Sequence, residues 1–185
     1  MKHTFGHRTT LGLLRSLAAE PGPDFRDMLG EANARPDLVA SVRHLLRNGS
    51  RNEKRIALLA LRAAPAPDAA TTARTALPDA DPQVRLLAME FLTDASADTS
   101  RDLVRMLDDP EPEVRSRAMS LLLRLEPVPR AIRSMLDSPD ERLRASVIEA
   151  IDDKSTRRLL DDLRPGLRSP APRVRIAALD ALTRL

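Results

Sequence analysis

The hydrophobic residues of this chain recur at the spacing of an α-helix. In the stretch "DPEPEVRSRAMSLLLRL", residues 109–125, apolar residues from Val114 onward fall at i, i+4, i+7, i+8 and i+11. This spacing places them on one face of a helix. Pro112 and Glu113 come just before the apolar stripe, where proline and acidic side chains favour a helix N-terminus. The pattern predicts an amphipathic helix that begins near residue 112.

Copies of this stretch recur along the chain. They read "NEKRIALLAL" from residue 52, "PQVRLLAMEF" from 82, "PEVRSRAMSL" from 112, "ERLRASVIEA" from 141 and "PRVRIAALDA" from 172. One arginine occupies the same position in every copy, at separations of 30, 30, 29 and 31 residues: Arg55, Arg85, Arg115, Arg144 and Arg175. A constant period in this range is typical of a solenoid of stacked repeats.

A second, shorter helical pattern precedes each stripe. Its apolar pairs are Leu103 with Leu107, Ile132 with Leu136, and Leu163 with Leu167. A turn that carries Asp and Pro, such as "DDPEP" or "DSPD", separates the two patterns in several copies. Each repeat is therefore predicted to be a helical hairpin.

One further apolar column widens the stripe of the second helices. It contains Leu59, Met89, Met119, Ile148 and Leu179. A stripe this wide predicts that each second helix packs against its partner and against both neighbouring repeats. In the last copy, Ile176, Leu179 and Leu182 belong to columns that other repeats bury against their successors. We therefore expect this apolar face to contact a partner or a second copy of the chain.

Three copies share a longer signature. "LDDPEPEVRSRAMSLLLRL", "LPDADPQVRLLAMEFL" and "LRSPAPRVRIAALDAL" combine a turn, a Val-Arg pair, an Ala four residues after the Val and a Leu-rich end. This signature resembles the short HEAT-like repeats, over about residues 37–185. The resemblance implies an all-α fold, a right-handed α-solenoid of stacked antiparallel helical hairpins of the armadillo-like kind. It also implies a binding scaffold rather than an enzyme.

The resemblance further implies a ladder of contacts between repeats, in which turn aspartates meet the arginine column. Asp79 and Asp109 would support this ladder, together with Arg55, Arg85, Arg115, Arg144 and Arg175. The end copies depart from the pattern. In the first copy, Lys54 stands where the other copies have Val or Leu, and Gly49 and Arg51 stand in place of acidic turn residues. In the last copy, Ser169 and Ala171 stand at those turn positions. The ladder is therefore expected to be weaker at both ends.

The N-terminal residues 1–36 fit no repeat well. Within them, "TTLGLLRSLAAE" and "PDFRDMLGEA" predict two helices that cap the N-terminal end of the array. Residues 37–185 would then hold five repeats. We expect the cap and the repeats to form a single continuous solenoid domain.

Composition adds two constraints. The chain is 42% hydrophobic and 31% charged, but it has only three Phe and no Tyr or Trp, so an aliphatic core suited to helix packing is expected. It has no Cys, which excludes disulfides and thiolate metal sites and fits a cytoplasmic protein. The N-terminal stretch is too polar for a secretory signal, and no apolar run approaches the length of a membrane span.

No residue cluster indicates catalysis or a bound cofactor. His3 and His7 could share a helix face, but no third metal ligand lies nearby in the sequence, and His44 is interpreted as a surface residue. Adjacent acids such as Asp108 and Asp109 point in different directions on a helix and suit helix caps. A glycine-rich phosphate loop is absent. We therefore predict no catalytic residue, no cofactor, no metal and no enzyme activity.

Basic residues are concentrated in the N-terminal part of the chain. Residues 1–75 hold twelve Lys and Arg against seven Asp and Glu. The densest part is "RHLLRNGSRNEKR", in which a possible anion patch comprises Arg43, Arg47, Arg51 and Lys54. This patch leaves open a nucleic-acid-binding module as an alternative function. No aromatic residue lies among these bases to stack on nucleobases, which weakens that alternative.

Polar positions that recur on the second helices indicate a different surface. Stacked hairpins would align them along a concave groove: Glu53, Gln83, Glu90, Asp94, Glu113, Arg124, Arg142, Glu149, Asp153, Arg173, Asp180 and Arg184. Their mixed signs suit a protein partner better than a polyanion. The favoured function is a protein-binding scaffold or adaptor whose partner is unidentified. A third possibility, implied by the resemblance alone, is a lyase-like chaperone for a cofactor-bearing protein.

Overall fold

A computed structural model describes residues 9–19, 25–63, 68–95, 98–125, 129–151 and 153–184. All of the secondary structure in these ranges is helical, which confirms the predicted all-α class. No helix within them is both long and apolar enough to cross a bilayer. His3 and His7 lie outside the described residues. The chain divides into two compact units, Met1–Ala97 and Asp98–Leu185.

The described part of the first unit contains six helices. These are α1 (Thr10–Ala19), α2 (Phe25–Asn33), α3 (Leu38–Asn48), α4 (Arg51–Ala63), α5 (Ala69–Arg74) and α6 (Pro82–Asp94). The two N-terminal helices predicted from sequence are confirmed as α1 and α2. Helices α3 with α4 and α5 with α6 pack as pairs, and α4 also contacts α1, α2 and α6. Buried Thr10 donates a hydrogen bond to Asp37, which ties α1 to the start of α3.

The described part of the second unit contains seven α-helices and one 3₁₀ helix. These are α7 (Ser100–Met106), α8 (Pro112–Arg124), α9 (Arg130–Leu136), α10 (Glu141–Glu149), α11 (Asp153–Arg158), α12 (Leu160–Leu163), the 3₁₀ helix (Arg164–Arg168) and α13 (Pro172–Thr183). Helices α7 with α8 and α9 with α10 pack as pairs. Helix α13 packs on α10 and on the 3₁₀ helix.

The first helix of the last repeat is broken into short segments. The helical pattern predicted from Leu163 and Leu167 is interrupted between them, and Leu163 is fully buried whereas Leu167 is 40% exposed. Pro165 lacks a backbone N–H, so α12 ends at Leu163 and a 3₁₀ turn follows. At Gly166, an added Cβ would lie 2.9 Å from the Cβ of Ala178, so glycine permits the close packing on α13.

The apolar stripes of the second helices form much of the core. On α8, Val114, Ala118, Leu121 and Leu122 are buried as predicted, whereas Leu125 is half-buried. The additional apolar column is less uniform. Met89 and Ile148 are buried and Leu59 and Met119 are half-buried, whereas Leu179, in the last copy, is 57% exposed.

The turns before the second helices share one hydrogen-bonding scheme. In each turn a side-chain oxygen accepts a hydrogen bond from the backbone N–H two residues later. The acceptors are Asp79, Asp109, Ser138 and Ser169, and the donors are Asp81, Glu111, Asp140 and Ala171. The repeat arginine closes the same turn. Arg115 Nη1 donates to the carbonyls of Asp109 and Pro110 at 2.7 and 2.9 Å. Aspartate or serine at this turn position is therefore a turn-forming residue in its own right.

The arginine column repeats this closure in four copies. Arg85 donates to Asp79 and Ala80, Arg144 to Ser138, and Arg175 to Ser169 and Pro170, in each case through Nη1 to backbone carbonyls. For Arg115, Arg144 and Arg175 these described bonds stay within one repeat. A ladder between repeats therefore remains a prediction for this column.

Two arginines of the second unit bond to the end of an earlier second helix. Arg158 of α11 donates to the carbonyls of Leu123 and Leu125, where α8 ends, and Ser155 Oγ donates to Leu123 O at 3.2 Å. Arg184 donates to Ile151 O at 2.9 Å, just beyond α10. Because the last carbonyls of a helix have no partner within it, these bonds fasten successive repeats together.

Candidate binding surface

Most residues of the predicted groove lie exposed on second helices. Gln83 and Asp94 of α6, Glu113 and Arg124 of α8, Arg142 and Glu149 of α10, and Arg173 and Asp180 of α13 are exposed, as is Arg184 next to α13. Glu53 and Glu90 are partly buried. Asp153 departs from the prediction because α10 ends at Glu149, which places Asp153 at the start of α11. Its side chain lies outside the described part of the chain.

In the first unit, a base of α4 contacts two groove positions of α6. Arg62 of α4 forms an ion pair with Asp94 and approaches Glu90 Oε2 to 3.6 Å. Both acids belong to the predicted columns. Arg62 does not belong to them. Its sequence signal would have been its place in the preceding copy, between the columns of Glu90 and Asp94. The second helices therefore place opposite charges side by side in this unit.

Glu53 has a structural role that the groove prediction missed. Its Oε2 accepts the backbone N–H of Ser50 at 2.6 Å, while Ser50 Oγ accepts the N–H of Glu53 at 3.4 Å. This reciprocal pair is a capping box at the start of α4, and "SRNE" is its sequence signal. Glu53 also bonds to Arg15 of α1 at 3.0 Å. The hydrogen bond from the Ser50 backbone lowers the pKa of Glu53, and the Ser50 side chain and then Arg15 lower it further.

Replacing Glu53 with Gln should remove a pH-dependent contribution to stability. The pKa of Glu53 is lowered on folding, so its stabilising effect is complete above the ordinary pKa near 4.5 and is lost as pH falls through the folded value. Gln can keep the capping hydrogen bond but not the charge, so we expect a loss of about 0.5 kcal/mol at pH 7 and a smaller difference at pH 3. Urea unfolding at both pH values measures it. A difference that does not shrink in acid would contradict the role of the ionised carboxylate.

The groove positions of the second unit meet across α10 and α13. Arg173 Nε and Nη2 donate to the two carboxylate oxygens of Glu149 at 2.9 and 2.8 Å. This two-pronged bond lowers the pKa of Glu149 and raises the pKa of Arg173. Both side chains are about half exposed or more. On α13, Asp180 also pairs with Arg184 at 2.7 Å. The surface thus presents alternating charges.

The possible anion patch is largely occupied by acidic side chains. Arg51 Nε lies 2.5 Å from Asp81 Oδ2, and Lys54 Nζ lies 2.6 Å from Asp79 Oδ2. Arg43 lies 4.0 Å from Asp68 Oδ2 and 3.4 Å from Thr72 Oγ1. Arg47 and His44 are exposed. Three of the four predicted bases therefore face carboxylates, which reduces the positive field available to a phosphate backbone.

Duplex DNA should bind this chain only weakly. With the patch neutralised internally, we expect dissociation constants of micromolar order or weaker at low salt and no measurable binding near physiological salt. Fluorescence anisotropy of a labelled duplex at the two salt concentrations measures this. Sub-micromolar binding that survives physiological salt, and that falls when Arg43 and Arg47 are changed to Gln, would reverse our preference for a protein partner.

The described residues contain no cluster of three or more His, Asp or Glu side chains placed to bind a metal ion. On α13, Ile176 is 69% exposed and Leu179 is 57% exposed, so the predicted apolar face is open in the structure. Leu182, the third member, is half-buried.

The fold and this surface define an all-helical repeat protein. The family model described as HEAT repeats matches residues 128–185, from the approach to α9 through α13. This match confirms the resemblance to HEAT-like repeats that the sequence signature predicted. Repeats of this family generally mediate contacts between proteins and typically serve as non-enzymatic scaffolds. No curated protein matches the chain.

Proposed function

We propose that this protein is a non-enzymatic scaffold or adaptor that binds another protein through the polar columns of its second helices. The observation that carries the proposal is the exposed Glu149–Arg173 pair, in which two predicted groove columns lie side by side. A surface of alternating charges favours a partner with the complementary pattern over a uniform polyanion. The family match over the same helices supports this class of function.

The proposal also includes the way in which the helical hairpins stack. We infer that the hairpins within each unit stack as a right-handed solenoid, with the second helices on the concave side. The contacts between α4 and α6 and between α10 and α13 support this order, because in each case two consecutive second helices of one unit pack directly. The lack of Cys is compatible with action in the cytoplasm.

A charge exchange tests the proposal without removing the ion pair. Glu149→Arg combined with Arg173→Glu keeps an attractive pair but inverts the charge pattern at the surface. We expect the unfolding midpoint to stay close to that of the wild type, because exposed pairs contribute little to stability. Recovery of the specific partner should fall at least tenfold, measured by quantitative mass spectrometry after affinity capture from the source cells.

The matched control is a second exposed ion pair away from the second helices. Arg164 Nη1 lies 3.2 Å from Asp161 Oδ1, and both side chains are well exposed. Exchanging these two charges should leave partner recovery at the wild-type level. Equal losses for both exchanges, or no loss for the first, would contradict a partner surface on α10 and α13.

A further inference from the structure

A polar pocket lies between two consecutive turns of the second unit. It has a volume of about 350 Å³, and Arg144, Ser138 and Ser169 are among the residues that line it. Leu136, Ile148 and Val174 supply part of its apolar wall. Its size is at the lower end of ordinary ligand pockets. The pocket is therefore large enough for a side chain or a small anion.

In the first unit, a cation on one second helix forms an ion pair with the turn before the next second helix. Lys54 of α4 reaches forward to Asp79, in the turn before α6, with side chains only 21% and 10% exposed. Ser169 occupies the turn position in the last repeat that Asp79 occupies in its own, six residues before the repeat arginine. The shorter, neutral side chain of Ser169 leaves no carboxylate at this position. In the preceding copy, Leu143 stands at the position of Lys54, and the next residue, Arg144, lines the pocket together with Ser169.

Donors for an anion remain in this pocket. Arg144 uses Nη1 for the carbonyl of Ser138, whereas its Nε and Nη2 have no acceptor among the described residues. The hydroxyls of Ser138 and Ser169 each accept a backbone N–H, and both keep their own O–H as a donor. A guanidinium and two hydroxyls form a donor set that suits a planar oxyanion.

The remaining charges of the pocket favour an anion of low charge. Asp137 and Asp162 also line it, together with Arg168. Asp162 is paired with Arg133 at 3.4 Å, and Asp137 is exposed. These two carboxylates repel a doubly charged phosphate more strongly than they repel a singly charged carboxylate ligand. A carboxylate therefore fits the pocket better than a phosphate.

We propose that this pocket binds the carboxylate of an Asp or Glu side chain from the partner protein. This proposal rests on the proposed scaffold function and names the chemistry of one contact. The partner segment would present an acidic residue to Arg144 and the hydroxyls of Ser138 and Ser169. The Glu149–Arg173 pair does not line this pocket, so the two contacts can be tested separately.

Small-molecule titrations test the pocket without the partner. Sodium acetate is added to the full chain at constant ionic strength, with acetamide as the neutral control and inorganic phosphate as a third probe. We expect saturable NMR shifts with acetate at the Arg144 Nε–H and the Ser169 N–H, and none with acetamide. If the Arg144 signal shifts no more than that of exposed Arg142 on the same helix, the proposal fails. Phosphate binding at least tenfold tighter than acetate would also overturn it.

An engineered occupant provides a second test. Ser169→Asp places a carboxylate within the chain and keeps the turn, because aspartate already forms this turn at Asp79 and Asp109. We expect Tm to rise by about 2–4 °C and the acetate shifts to disappear. In an Arg144→Gln background the same change should bring no rise. A rise that is equal in both backgrounds, or a fall in Tm relative to Ser169→Asn, would contradict the geometry.

These tests separate the two proposals. Acetate binding and the gain from Ser169→Asp require no partner, whereas the charge exchange at Glu149 and Arg173 measures partner recovery. The experiments can therefore refute carboxylate binding by the pocket while supporting the scaffold function, or refute the scaffold function while supporting carboxylate binding.

Discussion

Replacing Arg158 with Met should lower the free energy of unfolding by about 2–4 kcal/mol. Arg158 donates to the carbonyls of Leu123 and Leu125 and approaches Ser155 Oγ at 3.3 Å. Methionine keeps much of the aliphatic packing but removes every donor. The carbonyls at the end of α8 would then lose a charge-assisted partner in a partly buried place, which is the costly case. Urea unfolding followed by circular dichroism measures the loss.

The neighbouring residue provides the control for this change. Arg157 lies on the same short helix and is exposed. Arg157→Met changes charge and side-chain type in the same way as Arg158→Met. Because Arg157 is exposed, we expect it to lower the free energy of unfolding by less than about 0.5 kcal/mol. Similar losses for the two variants would mean that general charge effects, and not the cap on α8, determine the stability of this unit.

Replacing Arg85 with Met should have the second-largest effect, about 2–3 kcal/mol. Arg85 is 7% exposed, and its Nη1 donates to the carbonyls of Asp79 and Ala80 at 2.8 and 3.2 Å. Removing the guanidinium leaves two turn carbonyls without this donor in a buried place. Thermal and urea unfolding of the full chain should both record the loss.

Arg175→Met is the matched comparison within the same column. Arg175 makes the same pair of bonds at 2.8 Å, to Ser169 and Pro170, but the side chain is exposed. Water can replace the lost donor there, so we expect a cost of about 1 kcal/mol or less. Equal costs at Arg85 and Arg175 would show that burial does not govern the strength of this turn closure.

The sequence was sufficient to predict the hairpins and much of the core. Local features determine both, because a helix needs only periodic apolar residues and a turn needs Asp, Ser or Pro in the right place. Val114 and Leu122 are buried for this reason. The break after Leu163 also had a local signal, since Pro165 and Gly166 interrupt an otherwise helical pattern.

The contacts between repeats were harder to predict. Arg158 binds carbonyls 33 to 35 residues earlier in the chain, and no local pattern shows which helix end lies nearby. The repeat period aligned Glu149 and Arg173 on neighbouring helices. It could not indicate that they bond to each other, because that depends on the spacing and rotation of α10 and α13. The same limit applies to Lys54, predicted to be open to anions and found against Asp79.

Glu53 illustrates a further limit. Its column is polar in every copy, so stacking predicted a groove residue, but the local capping box with Ser50 and the bond to Arg15 give it a structural role. A residue type that is favourable in two roles cannot be assigned from its column alone. The surface of the second unit, where α10 and α13 expose their paired charges, is therefore the stronger candidate.

Amide hydrogen exchange of the chain alone and with its captured partner tests the central claim most directly. Each helix reports its own loss of exchange on binding. The scaffold account predicts protection in α10 and α13 and none in α7, the first helix of the second unit. Protection confined to residues 43–54, or to the first helices α3, α5, α7 and α9, would contradict it.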